Sequence, residues 1–544
     1  MKKKLVIGLL ILTLIALPLL AGCGGAEEVT TAPPTTAPEP TTPPEPTPEP
    51  PAAVSINVAY PGGFTGLTSV DPCDFFNAAP PGVFESLVAQ DKDDKLYGLL
   101  AESWEWSDDG LILTVKLREG VMFSNGDPFT TADVEFSLLR SLEKNMPVIA
   151  QLSPGQGYDG YEIVDDYTIK FLFTKVNVQF VPQTLVNMYM TSKTYYDQVG
   201  EEAYVKLPVG TGPYKIVDWA EGQYIDVTYN ENYRGDKPQI DSAHFVASPD
   251  SATRVAMLQA GEVDISIQIP GASISALEDA GFARVDIPQP HDIAIVFNLL
   301  APDTPWQDLK VRQAINYAID KQSLIDTMLC GPLQEGVWAL PTAPWYDSSL
   351  KPAYPYDLTM AQQLMEEAGY ADGFTLPLTY LVTEWGDELA DYLASALAQI
   401  NIEVELNAIA GMPDFMPAIA AVHNAYVNGE TVPAPPAAFV YDPGWPGNPE
   451  VSIDLTNGFY MAKDNTLFDS AAIDDLVDQV LSTLDDEARY EVAGQAWTAI
   501  DELLPVIPIG LEVQVSMMRP NIKYVKSVGG MATGPMNLID LGVE

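Results

Sequence analysis

Side chains able to do chemistry are sparse in this 544-residue chain, and their spacing excludes more than it permits. Gly155-Gln156-Gly157-Tyr158-Asp159-Gly160 has the glycine spacing of a dinucleotide-binding loop, which aims backbone amides at a pyrophosphate. That chemistry needs a strand before the loop and a helix after it. Gln151 to Pro154 is a poor strand and Tyr161 to Val164 a poor helix start, so an ordinary loop is expected. Asp91-Lys92-Asp93-Asp94 offers carboxylates to calcium, yet lacks the glycine at the sixth loop position and the glutamate at the twelfth, and is expected to be a turn. His244, His291 and His423 stand apart, without the i, i+4 spacing of a zinc-binding pair. There is no Gly-x-Ser-x-Gly elbow for a nucleophilic serine. No catalytic constellation, metal site or cofactor is expected.

The elements around these residues read as mixed α and β. Val54, Ile56 and Val58 alternate and Pro61-Gly62-Gly63 ends the run. Trp104 to Ser107 and Leu111 to Leu117 flank Asp108-Asp109-Gly110 as a hairpin. Tyr161 to Val164 and Thr168 to Phe173 flank Asp165-Asp166 in the same way. Thr130 to Glu143 predicts a helix, with Thr130 as N-cap and Asp133 as its acidic partner. Tyr214 to Trp219 and Tyr224 to Tyr229 predict a second hairpin, and Ser251 to Leu258 a helix after Asp250. From Leu309 helices dominate: Val311 to Ala318, Ala361 to Ala368 closed by Gly369, Leu389 to Leu397, and Ala488 to Leu504. Val404 to Leu406 and Ile507 to Leu511 are short strand candidates, so this half is α/β as well.

Cysteine chemistry points to the N-terminus. The chain holds three cysteines, Cys23, Cys73 and Cys330, too few for a disulfide framework. Pairing of Cys73 with Cys330 stays open, since sequence does not give their distance. Cys23 is distinguished by what precedes it. Lys2, Lys3 and Lys4 lead into an apolar run from Leu5 to Leu20, and small Ala21 and Gly22 follow. A basic start holds the terminus inside while the apolar segment enters the membrane, and small residues fit a signal-peptidase pocket. The run falls short of the ~20 residues a span needs. Residues 1–22 are therefore read as an export signal, and Leu20-Ala21-Gly22-Cys23 resembles a bacterial lipobox, whose cysteine is acylated and becomes the mature N-terminus. Lipid on Cys23 would keep a soluble domain at the membrane surface without a spanning helix.

Residues 23–53 read as a tether. Thr31 to Pro51 contains ten prolines and six threonines, with only Glu39, Glu45 and Glu49 charged. Such a segment lacks the apolar surface to offset its ordering entropy, and proline biases it to extended geometry at ~3.1 Å per residue, a reach of up to roughly 90 Å. The body from Val54 to Glu544 has the composition of a globular protein with two or three domains. Net charge is −48, and −51 once Lys2, Lys3 and Lys4 are removed. That excess repels nucleic acid and anionic lipid headgroups, so a nucleic-acid partner is excluded, while the identity of a ligand is left open.

A series of segments in fixed order carries the functional assignment. Leu99-Leu100-Ala101-Glu102-Ser103-Trp104-Glu105-Trp106-Ser107-Asp108-Asp109-Gly110 runs through Leu117-Arg118-Glu119-Gly120-Val121-Met122-Phe123 to Ala132-Asp133-Val134-Glu135-Phe136-Ser137. Gly210-Thr211-Gly212-Pro213-Tyr214, Leu258-Gln259-Ala260-Gly261-Glu262-Val263-Asp264-Ile265, Val311-Arg312-Gln313-Ala314-Ile315-Asn316-Tyr317-Ala318-Ile319-Asp320 and Glu366-Glu367-Ala368-Gly369-Tyr370 follow. Together they resemble the family 5 extracellular solute-binding proteins, the peptide-, dipeptide- and nickel-type receptors of ABC importers. The resemblance implies an α/β, two-lobed periplasmic-binding-protein-like fold, type II, cluster C, with a hinge of two chain crossings and an extra inserted subdomain. It places lobe I in 54–84, 205–290 and 506–544, the insert in 85–204 and lobe II in 291–505, with Pro505-Val506-Ile507-Pro508 as one crossing.

The resemblance also implies a lipid-anchored extracytoplasmic receptor, monomeric, that captures an oligopeptide or dipeptide and hands it to a permease and ATPase complex. It implies no enzymatic turnover. An oligosaccharide or a metal chelate is the alternative ligand, and a sensor without transport the alternative role. Peptide binders of the family often carry a Trp-x-x-Asp-Tyr-x-x-Pro type segment whose aspartate holds the ligand's α-ammonium. Its best match is Phe439-Val440-Tyr441-Asp442-Pro443-Gly444-Trp445-Pro446, where Phe439 replaces the tryptophan and Pro443 with Gly444 alters the loop. Asp442, Tyr441, Phe439 and Trp445 are thus candidate ligand residues, with Asp442 alternatively an Asp-Pro turn former. Phe123-Ser124-Asn125-Gly126-Asp127, where many members carry histidine or lysine, and the apolar, proline-containing stretch from Ala408 to Pro436 depart from the family pattern and are where ligand choice is expected to lie.

Overall fold

Ile56 and Val58 are buried while Ser55 and Asn57 face solvent, the alternation that makes β1 (Ser55–Tyr60) a half-buried strand. A short hairpin follows, β2 (Val88–Gln90) with β3 (Leu96–Gly98), closed at Asp91, whose carboxylate accepts from the Lys95 amide. β4 (Ala101–Trp106) and β5 (Ile112–Leu117) form the expected hairpin about Asp108-Asp109-Gly110. The Asp109 carboxylate caps that turn by accepting from the Ser107 hydroxyl and the Leu111 amide. Helix α1 (Thr131–Glu143) starts with the anticipated capping box, the Asp133 carboxylate accepting from the Thr130 amide at 2.9 Å. The glycine pattern at 155–160 is a 3₁₀ turn, Pro154–Gln156, leading into a strand, β6 (Tyr158–Asp165). With no helix after it, the loop cannot aim amides at a phosphate. β7 (Thr168–Phe173) completes a four-stranded antiparallel sheet in the order β4-β5-β7-β6. Its inner face packs Leu113, Val115 and Phe171 on Val134 and Leu138. A π-helical segment, Phe180–Leu185, precedes α2 (Lys193–Val199) and α3 (Glu201–Tyr204).

The chain re-enters the main sheet through Gly210-Thr211-Gly212-Pro213-Tyr214. The Gly212 amide donates to the Val83 carbonyl and the Tyr214 amide to that of Gly82. The two passes lie so close that a Cβ on Gly210 would stand 2.0 Å from the Val83 oxygen, and one on Gly212 2.3 Å from the Gly82 oxygen. Backbone approach is why this motif needs its glycines. β8 (Tyr214–Ala220), β9 (Tyr224–Tyr229), β10 (Ser242–Ala247), α4 (Ser251–Ala260), β11 (Ile265–Ser266), α5 (Gly271–Asp279) and the 15-residue β12 (Ala283–Phe297) follow. Beyond it come α6 (Leu309–Ala318), α7 (Lys321–Thr327), α8 (Leu358–Glu367), β13 (Phe374–Leu381), α9 (Gly386–Ala398) and β14 (Ile402–Ile409). The last elements are α10 (Met412–Val427), β15 (Ala438–Tyr441), α11 (Val451–Gly458), α12 (Ala471–Ser482), α13 (Asp486–Leu503), β16 (Val506–Met518), β17 (Ile522–Tyr524) and β18 (Leu541–Val543). Residues described by this computed structural model are 53–61, 67, 69–73, 82–91, 95–144, 151–327, 354–382, 386–410, 412–433, 438–441, 451–458, 466–525 and 537–544. Ala53–Glu544 forms one compact unit.

Ten strands make one sheet in the order β14-β13-β15-β12-β16-β11-β1-β10-β9-β8. β12 and β16 are its spine. They pair antiparallel from Ala283↔Met518 to Val296↔Val506, with register breaks between Pro288 and Asp292 and between Ile293 and Ala294. At the first break three residues, Gln289, Pro290 and His291, lie opposite Glu512 alone, an irregularity that proline, lacking an amide, favours. On one side of the break, helices α6, α8 and α9 pack Ile315, Met365, Leu389 and Leu393 on Ile295, Leu376 and Leu378. The sheet's opposite face there is covered by Phe415, Ile419 and Trp497 from α10 and α13. On the other side, α4 and α5 bury Leu258 and Leu277 against Val515 and Met517.

Three buried arginines recur with one geometry. Asp250, Asp308 and Asp485 each cap a helix N-terminus, and the arginine four residues on reaches back over the cap. Nη1 of Arg254 donates to the carbonyls of Ser248 and Pro249, that of Arg312 to Trp306 and Gln307, and that of Arg489 to Thr483 and Leu484. A guanidinium fork so placed satisfies main-chain oxygens that burial would otherwise leave bare.

Candidate functional site

Strand direction locates the site. β1 runs parallel to β10 and β11, and β13 runs parallel to β14 and β15. β11 pairs antiparallel with β16 as Ile265↔Met518 and Ser266↔Met517, so its carboxyl end points along β16 toward Val513. β15 pairs antiparallel with β12 from Phe297↔Ala438 to Ala294↔Tyr441, so its carboxyl end points toward Asp292. Both parallel sets therefore aim their carboxyl ends at the same place, the register break where Pro288–Asp292 faces Leu511–Val513. In open α/β sheets that edge is where ligands bind. Here two such edges face one another across the two spine strands.

Two of the predicted ligand residues, Phe439 and Tyr441, come from the strand that reaches this junction. Tyr441 is the last residue of β15 and pairs with Ala294, immediately beside the second register break. Asp442 and Trp445 lie outside the described residues, as do Cys23 and Cys330. Phe439 is fully buried, and its ring meets Phe415 edge-on with centroids 5.7 Å apart. The structure thus gives Phe439 a packing role behind the strand. Phe123-Ser124-Asn125-Gly126-Asp127 sits where the four-stranded sheet joins the main one. There the Ser124 amide donates to the Gly210 carbonyl, and Asn232 Nδ2 donates to the Ser124 carbonyl at 3.1 Å.

Side chains that the sequence did not single out lie nearer the crossing. Gln514 pairs with Ile287, one step from the break, and Ser516 with Val285. Gln514 Oε1 and Ser516 Oγ are buried and have no hydrogen-bond partner among the described residues, which makes this alternating pair on β16 a candidate acceptor and donor for a polar ligand. Tyr60 ends β1, and burial pushes its phenol above the ordinary range, so it is a neutral hydroxyl. Alternation of Gln and Ser within an apolar strand was the only sequence signal. It is also the signal of an exposed strand face.

Of the remaining candidates for chemistry, Cys73, His244 and His423 have structural partners, and the His291 side chain lies outside those described. Cys73 is a buried free thiol that burial pushes up, so it is protonated and inert. His244 Nδ1 lies 2.6 Å from Asp226 Oδ1, and His423 Nδ1 lies 3.0 Å from the Thr466 carbonyl. Among the described residues no three histidine, cysteine or acidic side chains gather as a metal site, and no helix is long and apolar enough to cross a membrane.

Comparison with known proteins agrees with this geometry. Residues 95–431, more than half of the chain, match the family described as bacterial extracellular solute-binding proteins, family 5 Middle. The chain is 28% identical over 487 residues to the glutathione-binding protein GsiB of Escherichia coli, covering 87% of this chain and 91% of that one. Its fold resembles that of a putative peptide binding protein, AppA, from Clostridium difficile, with a TM-score of 0.76 at 21% identity, over 90% of this chain and 100% of that one. It also resembles the ABC transporter-associated periplasmic binding protein DppA from Helicobacter pylori in complex with the peptide STSA, with a TM-score of 0.70 at 22% identity, over 90% and 98% of the two chains.

Proposed function

The chain belongs to the bacterial extracellular solute-binding proteins of family 5, a family of binding proteins and not of enzymes, and on that premise we propose that it is the lipid-anchored receptor of an ABC importer for short peptides. The observation that carries this reading is the convergence of the carboxyl ends of β1, β10 and β11 with those of β13, β14 and β15 on one crossing. A ligand held there touches both halves of the sheet. Its differential affinity for the shut arrangement closes the lobes.

The hinge is the β12/β16 register break. On this reading the first crossing is at Pro288–Asp292 and the second at Leu511–Val513, supported by the register break there and by the pairing of Val506 and Ile507 with Val296 and Ile295. In this reading Asp442, next in sequence after the end of β15, anchors the peptide's α-ammonium, and Tyr441 and Trp445 are further ligand residues. Gln514 and Ser516 meet the peptide's amides. Glutathione, which the E. coli relative is named for binding, is itself a peptide with a free α-ammonium. Cys23 carries the lipid, residues 23–53 hold the body off the membrane, and a permease with its ATPase receives the closed form.

Mass spectrometry of what copurifies after gentle extraction tests the ligand class. Short peptides with free N-termini are expected. A neutral oligosaccharide or a metal chelate in their place would move the receptor to the alternative ligand class.

A further inference from the structure

A second link between the two halves lies away from the crossing. Gln179 is fully buried just before the π-helical segment, and its Nε2 donates to the Ser452 carbonyl and to Thr456 Oγ1, both at 2.9 Å, on α11. Gln151 Nε2 donates in turn to Gln179 Oε1 at 3.0 Å and to Gln183 Oε1 at 2.6 Å, which fixes the orientation of the Gln179 amide. The glutamines belong to the segment bearing the four-stranded sheet, which is fastened to β1's side of the molecule. Gly210 and Gly212 make that seam, and Arg234 clamps Glu85 there with bonds of 2.6 and 2.9 Å. α11 belongs to the other side, where Val451 and Leu455 pack with Phe439 and Trp497. A second contact joins the same two bodies, since Gly110 in the β4/β5 turn lies against Leu484.

We propose that Gln179, oriented by Gln151, is a clasp that holds the inserted subdomain to lobe II in the shut form and so sets ligand affinity without touching ligand. The inference rests on the two-lobed reading above. Opening about the β12/β16 crossing moves α11 away from Gln179 and breaks both bonds. The chemistry suits a reversible clasp. Hydrogen bonds exchanged for water cost little net, whereas an apolar seam of the same size would lock. Gln179 is the N-cap of the π-helical segment, and π-helical turns are frequent at functional sites.

The test uses the mature protein with the solute that copurifies with it still bound, so that the lobes are shut, and it stands or falls apart from that solute's identity. Hydrogen exchange of the 451–458 amides and the radius of gyration in solution scattering are compared for wild type, Gln179→Ala, Thr456→Val and the double variant. Loss of two bonds of ordinary strength predicts about tenfold faster exchange confined to α11 and its contact, and a larger radius, for Gln179→Ala. Thr456→Val shifts both readouts less, and the double variant goes no further than Gln179→Ala alone, because both changes break one link. Unchanged exchange and radius, additive effects, or faster exchange spread evenly over both lobes would overturn the clasp.

Discussion

Arg312 Nε donates to the main-chain oxygen of Leu504 at 2.9 Å, so a residue of α6 fixes the point from which β16 departs 192 positions later. Leu504 has a left-handed φ of 49°, a conformation that a leucine holds only when its surroundings impose it. Nη2 adds the Leu503 carbonyl at 2.6 Å. Burial, opposed electrostatically by Asp308 and Tyr354, pushes the guanidinium down to about 10, still a cation at neutral pH. Its charge is thus dispersed over four carbonyls, and those bonds set the start of a strand on which the proposed hinge depends.

Replacing that fork is expected to cost far more than replacing a surface cation. Arg312→Lys supplies neither the planar fork nor its reach, and should destabilise the body by about 3–5 kcal/mol, the range for leaving a buried charge uncompensated. Lys310→Ala, which removes only the exposed pair with Glu367, should leave the urea midpoint essentially unchanged. Equal midpoints for the two variants would show that Arg312 carries no such load.

Acid should loosen one identifiable knot first. Burial alone would raise the Glu201 carboxyl, but Lys144 at 2.7 Å, Tyr196 and Arg140 at 3.1 Å hold it at about 2, below the ordinary ~4.3. A depressed carboxylate contributes stability above its ordinary pKa and loses it as pH falls toward the folded value. Wild type should therefore exceed Glu201→Gln in urea midpoint at pH 7, with the gap closing between pH ~4.3 and 2. A gap independent of pH would contradict the assignment.

Local signals in the sequence were strong enough to place the β4/β5 turn, the Thr130–Asp133 capping box and the α8 helix ending before Gly369. Each is decided by residues within one turn of each other. β12 was not legible. Pro288 and Pro290 read as breakers, and it is pairing with β16 on both sides of the break, Pro288 with Val513 and Asp292 with Leu511, that carries the strand through them. β16 extends to Met518 and not Leu511, because Glu512, Gln514 and Ser516 look like loop until β11 and β12 flank them. Pro417 likewise hid α10, where Phe415, Ile419 and Val422 supply the buried face. At the site, residue type suggested Phe439 as a ligand contact. Sequence cannot tell a cleft aromatic from a core one, and the packing against Phe415 makes it core.

The proposed membrane attachment rests on one atom, Cys23 Sγ. Cys23→Ala should release a soluble body or leave an uncleaved precursor in cell fractionation. Mature protein that stays on the membrane after that change, with no partner holding it, would refute the lipid anchor.

Ligand charge recognition is assigned to Asp442. An α-ammonium taken out of water needs an opposite charge. Asp442→Asn should weaken binding of a peptide with a free N-terminus by roughly 2–5 kcal/mol in calorimetry and affect its N-acetylated form much less. Equal losses for both, or none, would leave Asp442 a turn residue.

Closure on an unaltered peptide is the central claim, and solution scattering measures it most directly. Saturating the mature body with a peptide identified by copurification should lower its radius of gyration, and the peptide should be recovered chemically intact. A bound peptide that leaves the radius unchanged, or is converted to product at catalytic rates, would contradict the account.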